Sequence, residues 1–453
     1  MNSLKSAICI SVVLLFIALH MVVFEQGMGG DGWGYYAILE SAVIDHDLNL
    51  DNNIYGTYNG FKKDPVSGRW ITQYPPGMAL MDAPFFMAAE RLYPLIGPRL
   101  PEVSLSSEKS EQKNISKQTL MRILGVIAAH NFYTLLGLLL LFLTLRKHSL
   151  SALTASLLVA ATYFTTPLHF YGQSGMSHAD SFFCMSALLY LLSGYVQSPR
   201  LYLIFLIGMI CGLAATVRYV NGVMLIITAG TLFMHTPSGI LKKWFLLGIG
   251  FLAVFWIVPL FWWLHAHMLK PAYGAKFIID RPPLLNILFS FKRGLFTFHP
   301  ALLLIFPGFI SFIVKSEWKE ARSRFMALFC MLSIIVLSSI YGYYKEWWGA
   351  ETYSQRYLIC ILPFCIFCIA SLFKNPGFIR IISSYFLVFG FIFSYSIFII
   401  SVSQVLTFEH GQMWALYLHE YNAIFNSNIS LSDILNGLGN NVYGLKGLRA
   451  LLG

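Results

Sequence analysis

Runs of about 16 to 23 residues with almost no charge recur along the whole chain. A helix needs roughly 20 apolar residues to cross the hydrocarbon core of a bilayer. Eleven such runs predict eleven transmembrane helices, over 7–23, 123–145, 153–168, 181–196, 201–216, 220–234, 244–264, 295–314, 325–341, 357–373 and 381–400. Strands of a membrane barrel alternate in polarity and stay near ten residues, so a barrel is excluded. The expected class is an all-α polytopic membrane protein. Composition agrees: 57% of residues are hydrophobic and 11% charged, where a soluble domain carries about 25% charged residues. No small-residue cleavage site follows the first run, so it is expected to remain as a helix rather than act as a removed signal.

The basic residues divide the connections into two kinds. Arg146 and Lys147, Arg200, Lys242 and Lys243, the stretch 315–324, and Lys374 and Arg380 all fall between spans on one side. Cytoplasmic loops carry this excess of Lys and Arg. The formal charge of +10 is thus dispersed for orientation rather than gathered in a stripe for nucleic acid. All seven cysteines lie inside apolar runs, which predicts neither a disulfide framework nor a zinc site.

The other side differs in kind. After a first helix (1–23) comes a stretch of about a hundred residues (24–122), rich in Gly, Asp, Asn, Tyr and Pro. Within it, 76–96 is apolar but interrupted by Asp82, Glu90 and Arg91, which reads as a helix lying at the interface. The remaining spans occupy 123–400, and a tail (401–453) with an amphipathic segment at 412–424 returns to the outer side. No internal repeat is visible, which weakens an inverted-repeat transporter.

Chemistry-bearing residues collect on that outer side. The first cluster is Gly29-Gly30-Asp31-Gly32-Trp33-Gly34-Tyr35-Tyr36, where glycines admit a sharp turn beside a carboxylate. Asp31 equally suits a helix cap. The second is Ser177-His178-Ala179-Asp180, where Asp180 precedes an apolar helix and again suits a cap or a functional carboxylate. The third joins the ninth and tenth spans and contains Lys345, Glu346, Trp347, Trp348, Gly349, Glu351, Gln355 and Arg356. Trp, Tyr and Gly together suit stacking on sugar rings, and a guanidinium matches phosphate oxygens; Arg356 equally suits a snorkelling anchor. Lys292 and Arg293, ahead of His299, and Arg218 in a short turn add positive charge for a lipid phosphate or for anionic headgroups. No phosphate-binding glycine loop with Lys, His-Glu-x-x-His or nucleophile elbow is present.

These residues resemble the GT-C superfamily of membrane glycosyltransferases, which use polyprenyl-phosphate sugars. Gly30-Asp31-Gly32 with Tyr35-Tyr36, and Tyr74-Pro75-Pro76-Gly77 before the interfacial helix, resemble its acidic first outer loop. Asp180 resembles the second acidic residue of the bacterial lipid A aminoarabinose transferases. Trp347-Trp348-Gly349 with Ser354-Gln355-Arg356-Tyr357 and Pro363 resembles a motif frequent in bacterial members. Size, span number and an outward tail are similar to the serotype-converting O-antigen glucosyltransferases. Asp31 is followed by Gly, not by the Glu of protein mannosyltransferases, which favours a glycan acceptor over a protein.

The resemblance implies a bacterial inner-membrane enzyme acting on the periplasmic face. It would move a monosaccharide, with glucose the first expectation, from undecaprenyl phosphate to O-antigen or another lipopolysaccharide glycan, supplied by a donor synthase and flippase. Asp31 is the expected base and Asp180 its support or the acceptor's guide, with an exchange of roles open. Arg356, then Arg218, Arg293 and Lys292, would hold the donor phosphate. Trp33, Tyr35, Tyr36, Tyr74, His178, His299, Lys345, Glu346, Trp347, Trp348 and Glu351 would line the substrate. Asp31, Asp180 and Arg356 are expected in a single pocket. No cofactor is required, and a divalent cation, although possible, is not indicated, since the outer loop lacks a dense carboxylate cluster. The rival readings are a transporter or flippase of lipid-linked sugars and an O-antigen ligase or polymerase.

Overall fold

The structure, a computed structural model, describes residues 2–24, 27–28, 30–54, 60–65, 68–100, 103–107, 110–235, 238–267, 277–279, 282–290, 292–314, 321–349, 353–374 and 377–403. The expected helix at 412–424 and the basic stretch 315–320 lie outside the described residues.

Among the described residues, seventeen α-helices follow in order. They are α1 (Asn2–Val23), α2 (Gly30–Glu40), α3 (Gly77–Ile96), α4 (Lys117–Lys147), α5 (Ala152–Phe164) and α6 (Leu168–Tyr171). Next come α7 (His178–Gln197), α8 (Leu201–Val217), α9 (Val223–His235), α10 (Ile240–Phe255), α11 (Ile257–Ala266) and α12 (Pro283–Phe289). The last are α13 (Leu295–Phe298), α14 (Ile305–Val314), α15 (Ala321–Tyr343), α16 (Leu362–Ala370) and α17 (Phe378–Ser403). Two antiparallel hairpins, β1 (Phe61–Lys63) with β2 (Trp70–Thr72) and β3 (Val103–Ser107) with β4 (Ser110–Ile115), flank α3.

Among the described residues, seven helices are long and apolar enough to cross a membrane, and four shorter apolar helices fall at 152–164, 201–217, 219–234 and 300–312. Together they coincide with the eleven expected spans. The departures are local and centre on proline. The run 244–264 is broken at Trp256 into α10 and α11; Pro259 lacks the N–H that would bond the turn before it. The run 295–314 divides at His299-Pro300 into α13, a 3-10 turn and α14.

The span 356–373 is wholly buried at the centre of the bundle, while α1 and α17 present most of their surface outward. Leu4, Ile8, Val12, Leu15, Leu19 and Val22 of α1 are exposed, as lipid-facing side chains should be. Lysines close two of the helical segments: Lys147, at the end of α4, lies 3.4 Å from the ring of Tyr190, and Lys374, after the central span, lies 5.6 Å from that of Phe312.

The 24–122 stretch packs on the bundle. Helix α3 is an amphipathic helix that is not among the candidate spans, with Leu80, Met87, Leu92 and Leu95 exposed and Met78, Met81, Asp82 and Phe86 buried. His265 of α11 pins this layer, accepting from the Thr72 backbone N–H through Nε2 (3.3 Å) and bonding the Leu48 carbonyl through Nδ1 (2.9 Å). Arg122 of α4 bonds Glu40 at the end of α2 (2.9 Å) and Glu90 of α3 (2.6 Å). That single guanidinium fixes the angle at which α2, and so Asp31, meets the bundle.

Candidate active site

Asp31 is the second residue of α2. Its position follows from two close approaches that only glycine permits. A Cβ at Gly32 would lie 2.5 Å from the carbonyl oxygen of Gly175, and one at Gly34 would lie 2.4 Å from the ring of Tyr74. Helix α2 is therefore pressed between the turn before α7 and Tyr74. Tyr74 donates its hydroxyl to Asp31 Oδ1 (3.1 Å), and Arg356 Nη1 reaches Asp31 Oδ2 at 2.9 Å. The two residues, far apart in sequence, form an ion pair in which the Asp31 side chain is 28% exposed and that of Arg356 is 7% exposed. Arg356 Nη1 also meets Met176 Sδ (3.3 Å), just ahead of α7.

Arg356 opens the central buried span, and the loop before it is held on several sides. His299 Nε2 bonds Ser354 Oγ (2.7 Å), the Tyr171 hydroxyl donates to the Tyr353 carbonyl, and Gln355 donates to the Trp347 carbonyl (2.9 Å) while accepting from the Tyr357 N–H (3.3 Å). Ser354 adopts φ 49°, in the left-handed region. Such a conformation costs about 1–3 kcal/mol and persists only when neighbours fix it. The loop thus presents Arg356 in one orientation.

A second guanidinium stands close by. Arg218 Nη1 lies 2.9 Å from His178 Nδ1, and its head group packs on the rings of Tyr341 (5.3 Å) and Tyr357 (5.4 Å). Arg356 packs on the same Tyr357 ring at 5.5 Å, so one aromatic ring is shared by both cations. Tyr35 donates to Ser177 Oγ (3.1 Å) and its ring lies 4.6 Å from that of Tyr74.

The remaining sequence candidates divide. Lys292 lies 3.8 Å from the ring of Trp348, and the Arg293 carbonyl accepts from Gln355 (3.4 Å), so both join the 345–356 loop. Trp347 is buried, whereas Lys345 and Glu346 are exposed in the turn. Trp33 is half-buried against Tyr36. Tyr36 turns away, donating to Glu40 Oε1 (3.2 Å) in the Arg122 cluster. Glu351 lies outside the described residues.

Asp180 belongs to a second cluster of charged side chains. Its side chain is fully buried, and its charged neighbours are His130 of α4 (3.6 Å) and, through that imidazole, Asp82 of α3, which lies 3.0 Å from the same Nε2. Asp180 sits in the first turn of α7, whose N-cap position is Ser177, and among the described residues no other residue donates a hydrogen bond to its carboxylate. Burial holds the Asp82 carboxyl above the ordinary carboxylate range, partly countered by His130. Sequence reasoning took Asp82 only as a polar interruption of α3 and passed over His130. An ionisable residue in the middle of an apolar run is itself a signal of function.

No family model matches the sequence, and no curated protein matches it. Among solved structures, the chain is similar to ArnT from Cupriavidus metallidurans bound to undecaprenyl phosphate, with a TM-score of 0.51 and 12% identity over 97% of this chain and 75% of that one. The apo form of the same protein gives 0.53 and 11%, over 98% and 75%. The Archaeoglobus fulgidus oligosaccharyltransferase in complex with Zn and sulfate gives 0.51 and 13%, over 84% of this chain and 53% of that one. The chain therefore has the all-α polytopic membrane fold of the GT-C glycosyltransferases.

Proposed function

We propose that the protein transfers a hexose, with glucose the first candidate, from undecaprenyl phosphate to a hydroxyl of O-antigen or another lipopolysaccharide glycan. The reaction takes place at the periplasmic face of a bacterial inner membrane. The observation that carries this reading is the Asp31 carboxylate, partly exposed and divided between Arg356 and Tyr74, with a second cation, Arg218, across the ring of Tyr357. The likeness in fold to ArnT, solved with undecaprenyl phosphate, supports a lipid phosphate as the donor's leaving group.

In this mechanism the donor phosphate enters between Arg356 and Arg218 and competes with Asp31 for the Arg356 guanidinium. Phosphate accepts bidentate guanidinium contacts well. As Arg356 turns to the phosphate, Asp31 is released to accept the acceptor's hydroxyl proton. The acceptor oxygen bonds to the anomeric carbon, the bond from that carbon to the phosphate oxygen breaks, and undecaprenyl phosphate leaves with the electron pair. The two arginines stabilise the charge that develops on it. Trp347, Trp348 and Tyr35 supply ring faces for the sugar. Asp180, fully buried beside His130, takes no part in the transfer step. The donor already carries an activated phosphate ester, so no nucleotide is consumed at this face; a synthase and a flippase supply the donor.

The test is Asp31→Asn in purified protein with labelled undecaprenyl-phosphate glucose and O-antigen. Transfer should fall by roughly 10²- to 10⁴-fold, the worth of a positioned base, with free undecaprenyl phosphate falling in step. Undiminished transfer by the variant removes Asp31 from the base role. Sugar moved across the membrane without a new glycosidic bond makes the protein a transporter, and a requirement for a diphosphate-linked oligosaccharide makes it a ligase or polymerase.

A further inference from the structure

Three helices each turn one ionisable side chain to a common point: Asp82 from α3, His130 from α4 and Asp180 from α7. One ligand atom from each lies within 4.8 Å of the others. The three side chains are at most 1% exposed. Asp82 Oδ1 and both oxygens of Asp180 accept no hydrogen bond among the described residues. His130 is the basic group that reaches either carboxylate, at 3.0 and 3.6 Å.

Charge decides what this arrangement needs. With both carboxyls ionised, the two acids and one imidazole carry a net negative charge even when the ring is protonated. The α7 N-terminus offers only a partial positive charge, about half of one unit. A buried charge without compensation costs several kcal/mol, and unsatisfied carboxylate oxygens add to that. A divalent cation with neutral His130 brings the sum to zero and gives the bare oxygens a partner. Ligand atoms around a tetrahedral ion with bonds of about 2.1 Å stand roughly 3.4 Å apart, close to the 3.0 and 3.6 Å seen here. One imidazole nitrogen with two carboxylates suits zinc or manganese; calcium takes six to eight oxygens.

We propose that Asp82, His130 and Asp180 bind one zinc or manganese ion that ties α3, α4 and α7 together. The site does not include Asp31, and its existence does not depend on the sugar-transfer reading. Its consequence for that reading is positional. His178 precedes Asp180 in the same helical turn and holds Arg218 at 2.9 Å, so the ion would fix the second arginine from behind.

The experiment uses the full chain in lipid nanodiscs, stripped with chelator, reloaded separately with Zn²⁺ and Mn²⁺, desalted, and analysed by metal mass spectrometry and thermal unfolding. Wild type should retain about one ion per chain and gain several degrees in its midpoint. Asp82→Asn and Asp180→Asn should each lose at least ten-fold in affinity, and Asp31→Asn should keep the full ion. Wild type that retains less than a tenth of an equivalent overturns the proposal without reference to any variant, and points to a proton shared by the two carboxylates. Loss of the ion in Asp31→Asn with retention in Asp82→Asn overturns it too, by moving the metal to the other site.

Discussion

Helix α4 carries two basic residues about two turns apart, and each stands between two carboxylates. Arg122 meets Glu40 and Glu90 with three donors, at 2.9, 2.6 and 3.2 Å. Further donors complete both acids: Tyr36 and Asn53 for Glu40, and Gln118 for Glu90. His130 meets Asp82 and Asp180 with one nitrogen and leaves three oxygens bare. A guanidinium is permanently charged with a fork of five donors, whereas an imidazole is a weak, conditional cation and a good metal ligand. Two clusters of the same outline therefore have different purposes. The first is finished by side chains and acts as a structural clamp. The second calls for a further positive charge.

The largest expected effect lies on the finished side. Arg122→Met leaves Glu40 buried without its cation and should destabilise the chain by about 3 kcal/mol, read as a lower thermal midpoint; an unchanged midpoint would mean that Arg122 clamps nothing. Next in size, Gly34→Ala should lower transfer by roughly ten-fold, since a Cβ at 2.4 Å displaces the Tyr74 ring from Asp31. Neither cluster should change, so metal content serves as its control. On the unfinished side, Asp180→Asn in chelated protein should raise stability by about 1 kcal/mol, read as a higher thermal midpoint, because it removes one of two like charges. A fall instead would show that side chains alone complete the cluster.

The smallest effect sharpens the contrast by pH. The hydrogen bond from Arg122 holds the Glu90 carboxyl below its ordinary value of 4.5. The unfolded chain thus takes up this proton at higher pH than the folded one. The resulting stability is fully present above pH 4.5 and is lost as pH falls toward the folded value. Glu90→Gln should flatten the acid limb of the midpoint-against-pH curve.

The span pattern was legible because bilayer thickness imposes a run length that few residues can disguise. Breaks within spans were not, because Pro259 and Pro300 interrupt backbone bonding without interrupting hydropathy. Asp31 and Arg356 each stood out by composition around them. Their contact did not, since linear spacing carries no information about which loop ends meet. Asp180 also stood out, but its orientation depends on where His130 falls on α4, a matter of helix packing. Tyr341 was legible only as the end of the expected span 325–341; its stacking on Tyr357, at 5.3 Å and 4°, comes from α15 lying beside the central span.

The ion pair between Asp31 and Arg356 also bears on timing. If a carboxylate is released only when phosphate claims its counter-ion, the two substrates arrive in compulsory order, lipid first and glycan second. Initial-rate patterns would then show the glycan bound only after the lipid, and a phosphate analogue alone would suffice to prime the chain for its acceptor.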